Sequence, residues 1–155
     1  MTAQRDFRRN FSSLAEIFAF TADFFARHGI AAELLPAVDI TLEELFTNMV
    51  KYSPSGNTHA RIEMTDIPGG VEVTLTDHDV ERFDVTQAPD ADIHLPIEDR
   101  TPGGLGLHLI RRLVDSLAYE YSNEERRSRI TFRKTTAGGK SAGTIAETGG
   151  GNARD

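Results

Sequence analysis

The chain has 155 residues, of which 39% are hydrophobic and 26% are charged, so it holds enough apolar material for one compact domain but not for two. Lys and Arg number 17 against 24 Asp and Glu, and the net charge of -7 argues against nucleic acid or an anionic membrane as the main partner. Cysteine is absent, which excludes disulfides and cysteine-based metal sites. There is no secretory-signal pattern and no apolar run long enough to span a bilayer, so we expect a soluble cytoplasmic protein.

Hydrophobic periodicity predicts an α+β domain, because helical spacing and strand-like alternation both occur along the chain. The predicted elements are, in chain order, an edge strand at 3 to 9, a helix from 13 to 28 stopped by Gly29, a helix from about Leu34 or Pro36 to Tyr52, strands at His59 to Thr65 and Val71 to Asp77, a helix from Leu105 to Leu117, and strands at Ala118 to Ser122 and Arg129 to Arg133. This order implies a layered domain with helices on one face of a mainly antiparallel sheet.

Two segments lack such periodicity. About 27 residues lie between Asp77 and Leu105, and a connection of that length in a compact domain is usually a functional lid or a disordered segment. Residues 135–155 are rich in Gly, Thr and Ala and too poor in apolar side chains to offset the entropy of ordering. We therefore predict one folded domain over 1–134 and a disordered tail over 135–155.

Three polar residues share one face of the second predicted helix. At about 100° per residue, Glu44, Asn48 and Lys51 become neighbours, separated by four and three positions. They lie roughly opposite an apolar stripe formed by Leu42, Leu45, Phe46, Met49 and Val50. A carboxylate, an amide oxygen and an ammonium would then share one surface, although such a trio is also typical of an ordinary solvated helix face.

A glycine-rich segment precedes the third predicted helix, with Gly103, Gly104 and Gly106 at its start. Glycines there let backbone amides approach a ligand closely, and a helix start favours an anion such as phosphate. A flexible turn that closes the preceding loop explains the pattern equally well. The dinucleotide-binding motif does not match, because Leu109 occupies its last glycine position.

Asp77 closes a predicted central strand and opens the long loop. Its carboxylate could accept hydrogen bonds from an exocyclic amine such as that of adenine, or it could simply terminate the strand. The five histidines show no ligand-like pairing, so we expect no dedicated zinc site.

Taken in this order, these segments resemble the ATP-binding domain shared by gyrase, the Hsp90 chaperones, histidine kinases and MutL, and most closely its serine-kinase anti-sigma-factor branch. Residues 44–53, Glu-Leu-Phe-Thr-Asn-Met-Val-Lys-Tyr-Ser, resemble the N box, and residues 103–115 resemble the second glycine box. The resemblance covers residues 5–134. It implies the Bergerat ATP-binding fold, a two-layer α/β sandwich whose mixed, mainly antiparallel sheet carries helices on one face, with a long ATP lid.

The resemblance also implies a role for each matching residue. Glu44 is the general base, Asn48 holds Mg²⁺ against the phosphates of ATP, and Asp77 receives the adenine amine. Lys51, and Arg100 in the lid, neutralise phosphate charge. Backbone amides of the second glycine box wrap the triphosphate, and the residues expected to do so are Gly103, Gly104, Leu105, Gly106 and Leu107.

The resemblance implies an ATP-dependent protein serine kinase and anti-sigma-type switch. Such a protein phosphorylates a STAS-domain antagonist, sequesters a sigma factor or other effector, and is expected to form a homodimer. One departure leaves a second function open, because Asp77-His78-Asp79 has an aspartate where the family usually has the glycine of Asp-x-Gly. The alternative is a catalytically weak or inactive binding module that regulates a partner by protein-protein contact.

Overall fold

The computed structural model describes residues 1–52, 59–78 and 104–136. The strands are β1 (Thr2–Arg8), β2 (His59–Ile67), β3 (Gly70–His78), β4 (Ser116–Ser122) and β5 (Arg127–Thr135). The α-helices are α1 (Leu14–His28), α2 (Leu35–Tyr52) and α3 (Gly104–Leu113), and short 3₁₀ turns at Phe11–Ser13 and Ala32–Leu34 lead into α1 and α2. The predicted α+β class is confirmed.

The strands form one five-stranded sheet in the order β1-β2-β3-β5-β4. Each of its four described pairings is antiparallel. This confirms the mainly antiparallel sheet, and it confirms β1 as an edge strand. The central position of β3 places Asp77, near the end of that strand, in the interior of the sheet rather than at its rim.

Side chains alternate between a buried and a polar face of this sheet, as the period of two residues requires. The buried face carries Ala60, Ile62, Met64, Val71, Val73, Leu75, Ile130 and Phe132. The opposite face carries cross-strand ion pairs, among them Arg61 with Asp6 and Arg133 with Glu72. The alternation therefore leaves a single face for the helices to cover.

The three helices bury apolar stripes against that face and against one another. Residues Ile17, Phe24 and Phe25 of α1, Val38, Leu42, Leu45 and Phe46 of α2, and Ile110 of α3 join the strand residues in one core. Helix α2 contacts both α1 and α3. The helix that carries Glu44 and Asn48 is therefore held on both sides by packed neighbours.

Two glycines lie where a side chain is disfavoured, one by its backbone conformation and the other by steric contact. Gly29 ends α1, as the sequence predicted; it lies in the left-handed region at φ 62°, and its N–H donates to the Phe25 carbonyl. At Gly70 an added Cβ would lie 2.0 Å from the carbonyl oxygen of Lys134, because β3 begins in close contact with β5. Gly70 therefore allows the hairpin to pack against the end of the sheet.

The predicted end of the third helix at Leu117 is wrong. Helix α3 ends at Leu113, and β4 begins at Ser116. The N–H of Asp115 donates to the Arg133 carbonyl, while its carboxylate accepts from the backbone N–H and hydroxyl of Thr135. Leu117 is paired with Phe132 in the sheet, so contacts with β5 override the leucine spacing.

Several predictions fall outside the described residues. They concern the lid with Asp79 and Arg100, the first glycine of the second glycine box at Gly103, and the tail beyond Thr136. Among the residues that the structure does describe, no helix is both long and apolar enough to cross a membrane.

Candidate functional site

The polar face predicted for α2 is present in the structure. Glu44 and Asn48 lie one helical turn apart and are both partly buried, while Lys51 is exposed. The Asn48 Nδ2 donates to Glu44 Oε2 over 3.3 Å. Because the amide nitrogen faces the carboxylate, the amide oxygen Oδ1 is directed elsewhere. The structure thus joins a carboxylate and an amide as one unit, which an ordinary solvated helix face does not require.

The surroundings of Glu44 favour a carboxyl group that can accept a proton. Burial raises the pKa of Glu44 above its usual range, because desolvation disfavours the charged form. The hydrogen bond from Asn48 and the positive charge of Lys51 lower this pKa and so oppose the effect of burial, which is the larger influence. A raised pKa brings a general base closer to the pH at which it works.

Asn48 has a buried polar atom that could bind a ligand. Its Oδ1 is buried, and no hydrogen-bond donor in the described part of the chain reaches it. A buried polar atom without a partner is costly, and in native proteins it often faces an ion or water. Amide oxygens are suitable ligands for Mg²⁺, which commonly takes only one or two protein ligands and fills its remaining positions with water and phosphate oxygens. Asn48 therefore fits the predicted role of holding Mg²⁺.

The described residues contain no cluster of three or more His, Asp or Glu side chains that could hold a metal ion. Mg²⁺ bound together with a nucleotide does not require such a cluster, because phosphate oxygens and water fill most of its coordination positions.

Asp77 lies one residue before the end of β3, and its side chain is only 2% exposed. Its Oδ1 accepts from the backbone N–H of His78 over 3.0 Å and lies 3.2 Å from Arg9 Nε. The carboxylate is therefore a buried acceptor held in an ion pair, which a simple strand terminator would not need.

Arg9 is a residue of this region that the sequence did not reveal. Its side chain is 2% exposed, and its Nη2 donates to the backbone carbonyl of Met49 on α2 over 3.3 Å. One available signal was the parity of the predicted edge strand, since Phe7 points into the core and Arg9 follows it by two positions. Arg9 connects the end of β3 to the helix that carries Glu44 and Asn48.

The second glycine box forms the beginning of α3, where Gly104, Leu105, Gly106 and Leu107 make up the first turn. The first four N–H groups of a helix have no partner inside the helix, so backbone donors are available there for an anion. Ile110 anchors α3 in the core, and α3 packs against α2. The glycine box is thus attached to the helix that carries Asn48.

The profile of the histidine kinase-like ATPase domain family, HATPase_c_2, matches residues 7–134. The chain belongs to this family. The match covers nearly the whole span predicted for the folded domain, including α2, the end of β3 and the start of α3. No significant match was found among curated proteins.

Two solved structures are similar to this chain. The first contains the RsbU and RsbW domains of Rv1364c from Mycobacterium tuberculosis, with a TM-score of 0.60, 10% identity, and coverage of 87% of this chain and 32% of that chain. The second is the SiaB-SiaC complex from Pseudomonas aeruginosa, with a TM-score of 0.57, 16% identity, and coverage of 85% and 88%. This chain spans about a third of the first protein, and at these identities the likeness shows a shared fold.

Proposed function

We propose that this protein is an ATP- and Mg²⁺-dependent protein serine kinase that acts as an anti-sigma-type switch. It phosphorylates a STAS-domain antagonist, and in its other state it sequesters a sigma factor or other effector. The observation that carries the proposal is the pair on α2, in which Glu44 has a raised pKa and Asn48 has a buried oxygen without a donor. Membership of the ATPase family supplies the context for this pair.

Each residue has a role in this proposal. Glu44 accepts the proton of the attacking serine hydroxyl, which makes the oxygen a better nucleophile toward the terminal phosphorus of ATP. Mg²⁺ held at Asn48 supplies neutralisation of phosphate charge, on which phosphoryl transfer mainly depends. Lys51 and Arg100 add positive charge, and Asp77 accepts from the adenine amine. Backbone amides of Gly103, Gly104, Leu105, Gly106 and Leu107 hold the triphosphate.

The similar structures support the proposed partners. One of them holds an RsbW domain together with an RsbU domain, and the other is a complex of two proteins, SiaB and SiaC. A regulatory domain that works through protein-protein contact is consistent with both. We extend this to a STAS-domain antagonist as substrate, a sigma factor or other effector as binding partner, and a homodimer as the working form.

A second candidate function is a binding module without kinase activity. The observation that favours it is the aspartate at position 79, where the family usually has glycine, because its side chain adds bulk and negative charge where a nucleotide would bind. In this case the protein would regulate its partner by contact alone.

The decisive assay is transfer of labelled phosphate from ATP, with Mg²⁺, to the STAS-domain protein encoded nearest to this protein in its genome. We expect transfer by the wild type and a loss of about 10² to 10⁴ in rate for Glu44→Gln, which keeps the shape but removes the base. Glu43→Gln, an exposed neighbour on the same helix, is the matched control and should retain transfer at pH 8. Wild-type inactivity, or an active Glu44→Gln variant, would refute the kinase.

Calorimetry with ATP and Mg²⁺ separates the two candidates. The kinase requires measurable binding, and we expect saturation at micromolar to millimolar nucleotide, the usual range for such substrates. Absence of binding at millimolar ATP, with the partner still captured, would establish the binding module instead.

A further inference from the structure

We propose that Arg9 is a positioning residue that makes this site selective for purines with a 6-amino group. It does so by holding the Asp77 carboxylate in one orientation and fixing it relative to α2. This inference rests on the proposed function, because it assumes that Asp77 receives the amine of adenine.

The backbone that presents Arg9 is itself held in place. The Arg8 carbonyl accepts from the Asn10 N–H over 2.8 Å and from the Ser13 hydroxyl over 2.7 Å. The Asn10 side chain also accepts from the Ser12 N–H and so closes the turn that leads into α1. Arg9 therefore follows β1 within a constrained turn, and its side chain lies buried against Asp77 and the Met49 carbonyl.

The Arg9 guanidinium contacts two elements of the site at once. Its Nε lies 3.2 Å from Asp77 Oδ1, and its Nη2 donates to the Met49 carbonyl over 3.3 Å. Met49 belongs to the last four residues of α2, whose carbonyls lack partners within the helix and attract positive charge. Met49 also directly follows Asn48. One planar side chain thus links Asp77, which would receive adenine, to α2, the helix that would hold Mg²⁺ through Asn48.

Two described contacts on Asp77, a hydrogen bond from the His78 N–H and the ion pair with Arg9, restrict the orientation of its carboxylate. The His78 N–H and the Arg9 Nε both approach the same oxygen, Oδ1. An ionised carboxylate has about four lone-pair positions, so it can accept further donors while these contacts persist. Orienting the group before the ligand arrives reduces the entropy lost on binding.

Because the Arg9–Asp77 ion pair is buried, a contribution to stability alone is a weak explanation for its presence. Both side chains are 2% exposed, so both charges have been removed from water. Replacing a buried ion pair with apolar side chains is often neutral or stabilising, so stability alone does not account for one. A guanidinium beside a buried carboxylate compensates its charge and so allows the carboxylate to stay buried as a hydrogen-bond acceptor.

The test compares ATP with purine riboside 5′-triphosphate, which differs only in lacking the 6-amino group. Dissociation constants of both are measured by calorimetry in the presence of Mg²⁺. In the wild type we expect ATP to bind at least about 10-fold more tightly, as for a hydrogen bond to a charged group. In Arg9→Met the ratio should fall to within about 2-fold of unity, mainly through weaker ATP binding. Arg8→Met, an exposed neighbour, is the matched control and should keep the wild-type ratio.

The outcomes separate this inference from the proposed function. Wild type that binds neither compound overturns both. Wild type that binds the two equally, or a folded Arg9→Met variant that keeps the wild-type ratio, overturns the role of Arg9 while nucleotide binding stands. A global loss of packing in Arg9→Met would weaken both ligands alike, so only a change in the ratio supports positioning.

A milder variant covers the case in which Arg9→Met does not fold. Arg9→Lys keeps the charge but replaces the planar fork with a single ammonium, so the ratio should fall at least about 3-fold. An unchanged ratio in Arg9→Lys overturns the proposal.

A measurement by NMR on the wild type needs no variant. The Arg9 Nε–H resonance should shift more with ATP than with purine riboside 5′-triphosphate, and equal shifts contradict the proposal.

Discussion

Glu44 on α2 and Asp77 on β3 are both carboxylates of the candidate site, but their partners differ. Glu44 is half-buried, and its hydrogen-bond partner among the described contacts is the neutral amide of Asn48. Asp77 is almost fully buried beside the positive guanidinium of Arg9. A neutral partner leaves the pKa of Glu44 raised by burial, which suits a group that takes up a proton. A charged partner holds Asp77 as a fixed acceptor.

The largest expected effect concerns the stability contributed by these partners. Asp77→Ala leaves the Arg9 guanidinium buried without its carboxylate and should lower the free energy of unfolding by about 3 to 5 kcal/mol. Glu44→Gln should not lower it at pH 7, because a carboxyl whose pKa is raised on folding destabilises the folded protein when ionised. Urea denaturation measures both changes.

Asp6→Ala provides the control for this comparison, because it breaks an exposed ion pair with Arg61 on the outer face of the sheet. Exposed pairs contribute little, so this variant should unfold at nearly the wild-type urea concentration. If Asp77→Ala were as mild as Asp6→Ala, the contrast between the two carboxylates would be wrong.

The next effect concerns the amide oxygen Oδ1 of Asn48, which no described donor reaches. Asn48→Ala should weaken the binding of ATP with Mg²⁺ by at least about tenfold, since it removes a ligand and a hydrogen-bond donor to Glu44. Binding of ATP in the presence of EDTA should change much less. Calorimetry under both conditions gives the comparison, and equal losses in both would mean that Asn48 does not hold the metal.

The smallest effect is a shift in the pH profile of phosphate transfer. The rate should fall as the pH drops through the raised pKa of Glu44, because the protonated group cannot act as a base. Lys51 lowers this pKa, so Lys51→Ala should raise it further and move the acid limb to higher pH. Glu43 raises the pKa, so Glu43→Gln should move the limb the other way.

Both shifts should shrink in high salt, since Lys51 and Glu43 are exposed. The profile of kcat/KM against pH at two salt concentrations measures them. Shifts of the same sign in the two variants would show that the charge around Glu44 does not control the limb.

The sequence was sufficient for the α2 part of the site because its geometry is local. Glu44 and Asn48 are four residues apart on a helix, and this spacing alone makes them neighbours whatever the rest of the chain does. The apolar stripe opposite them fixed which side of the helix would pack. The strands of the hairpin followed for a similar reason, since alternation depends only on adjacent residues.

The Arg9–Asp77 contact could not be obtained in this way. It joins the end of an edge strand to the end of the central strand, with β2 between them in the sheet. Parity with Phe7 favoured Arg9 over Arg8 as the inward side chain, but it could not identify Asp77 as the partner, because that depends on how distant strands pair. The end of α3 was missed for a related reason. Leu117 pairs with a residue of β5, and the Asp115 carboxylate accepts a hydrogen bond from the N–H of Thr135 in the same strand.

The position of Arg9 matters for anyone who shortens this protein. Fragments designed around the helices would begin near Leu14, after the edge strand and the turn that follows it. Such a fragment would keep Glu44, Asn48 and the glycine box, but it would lose β1, the core residue Phe7 and the guanidinium beside Asp77. Nucleotide binding measured on that fragment would therefore describe the shortened chain and not the native domain.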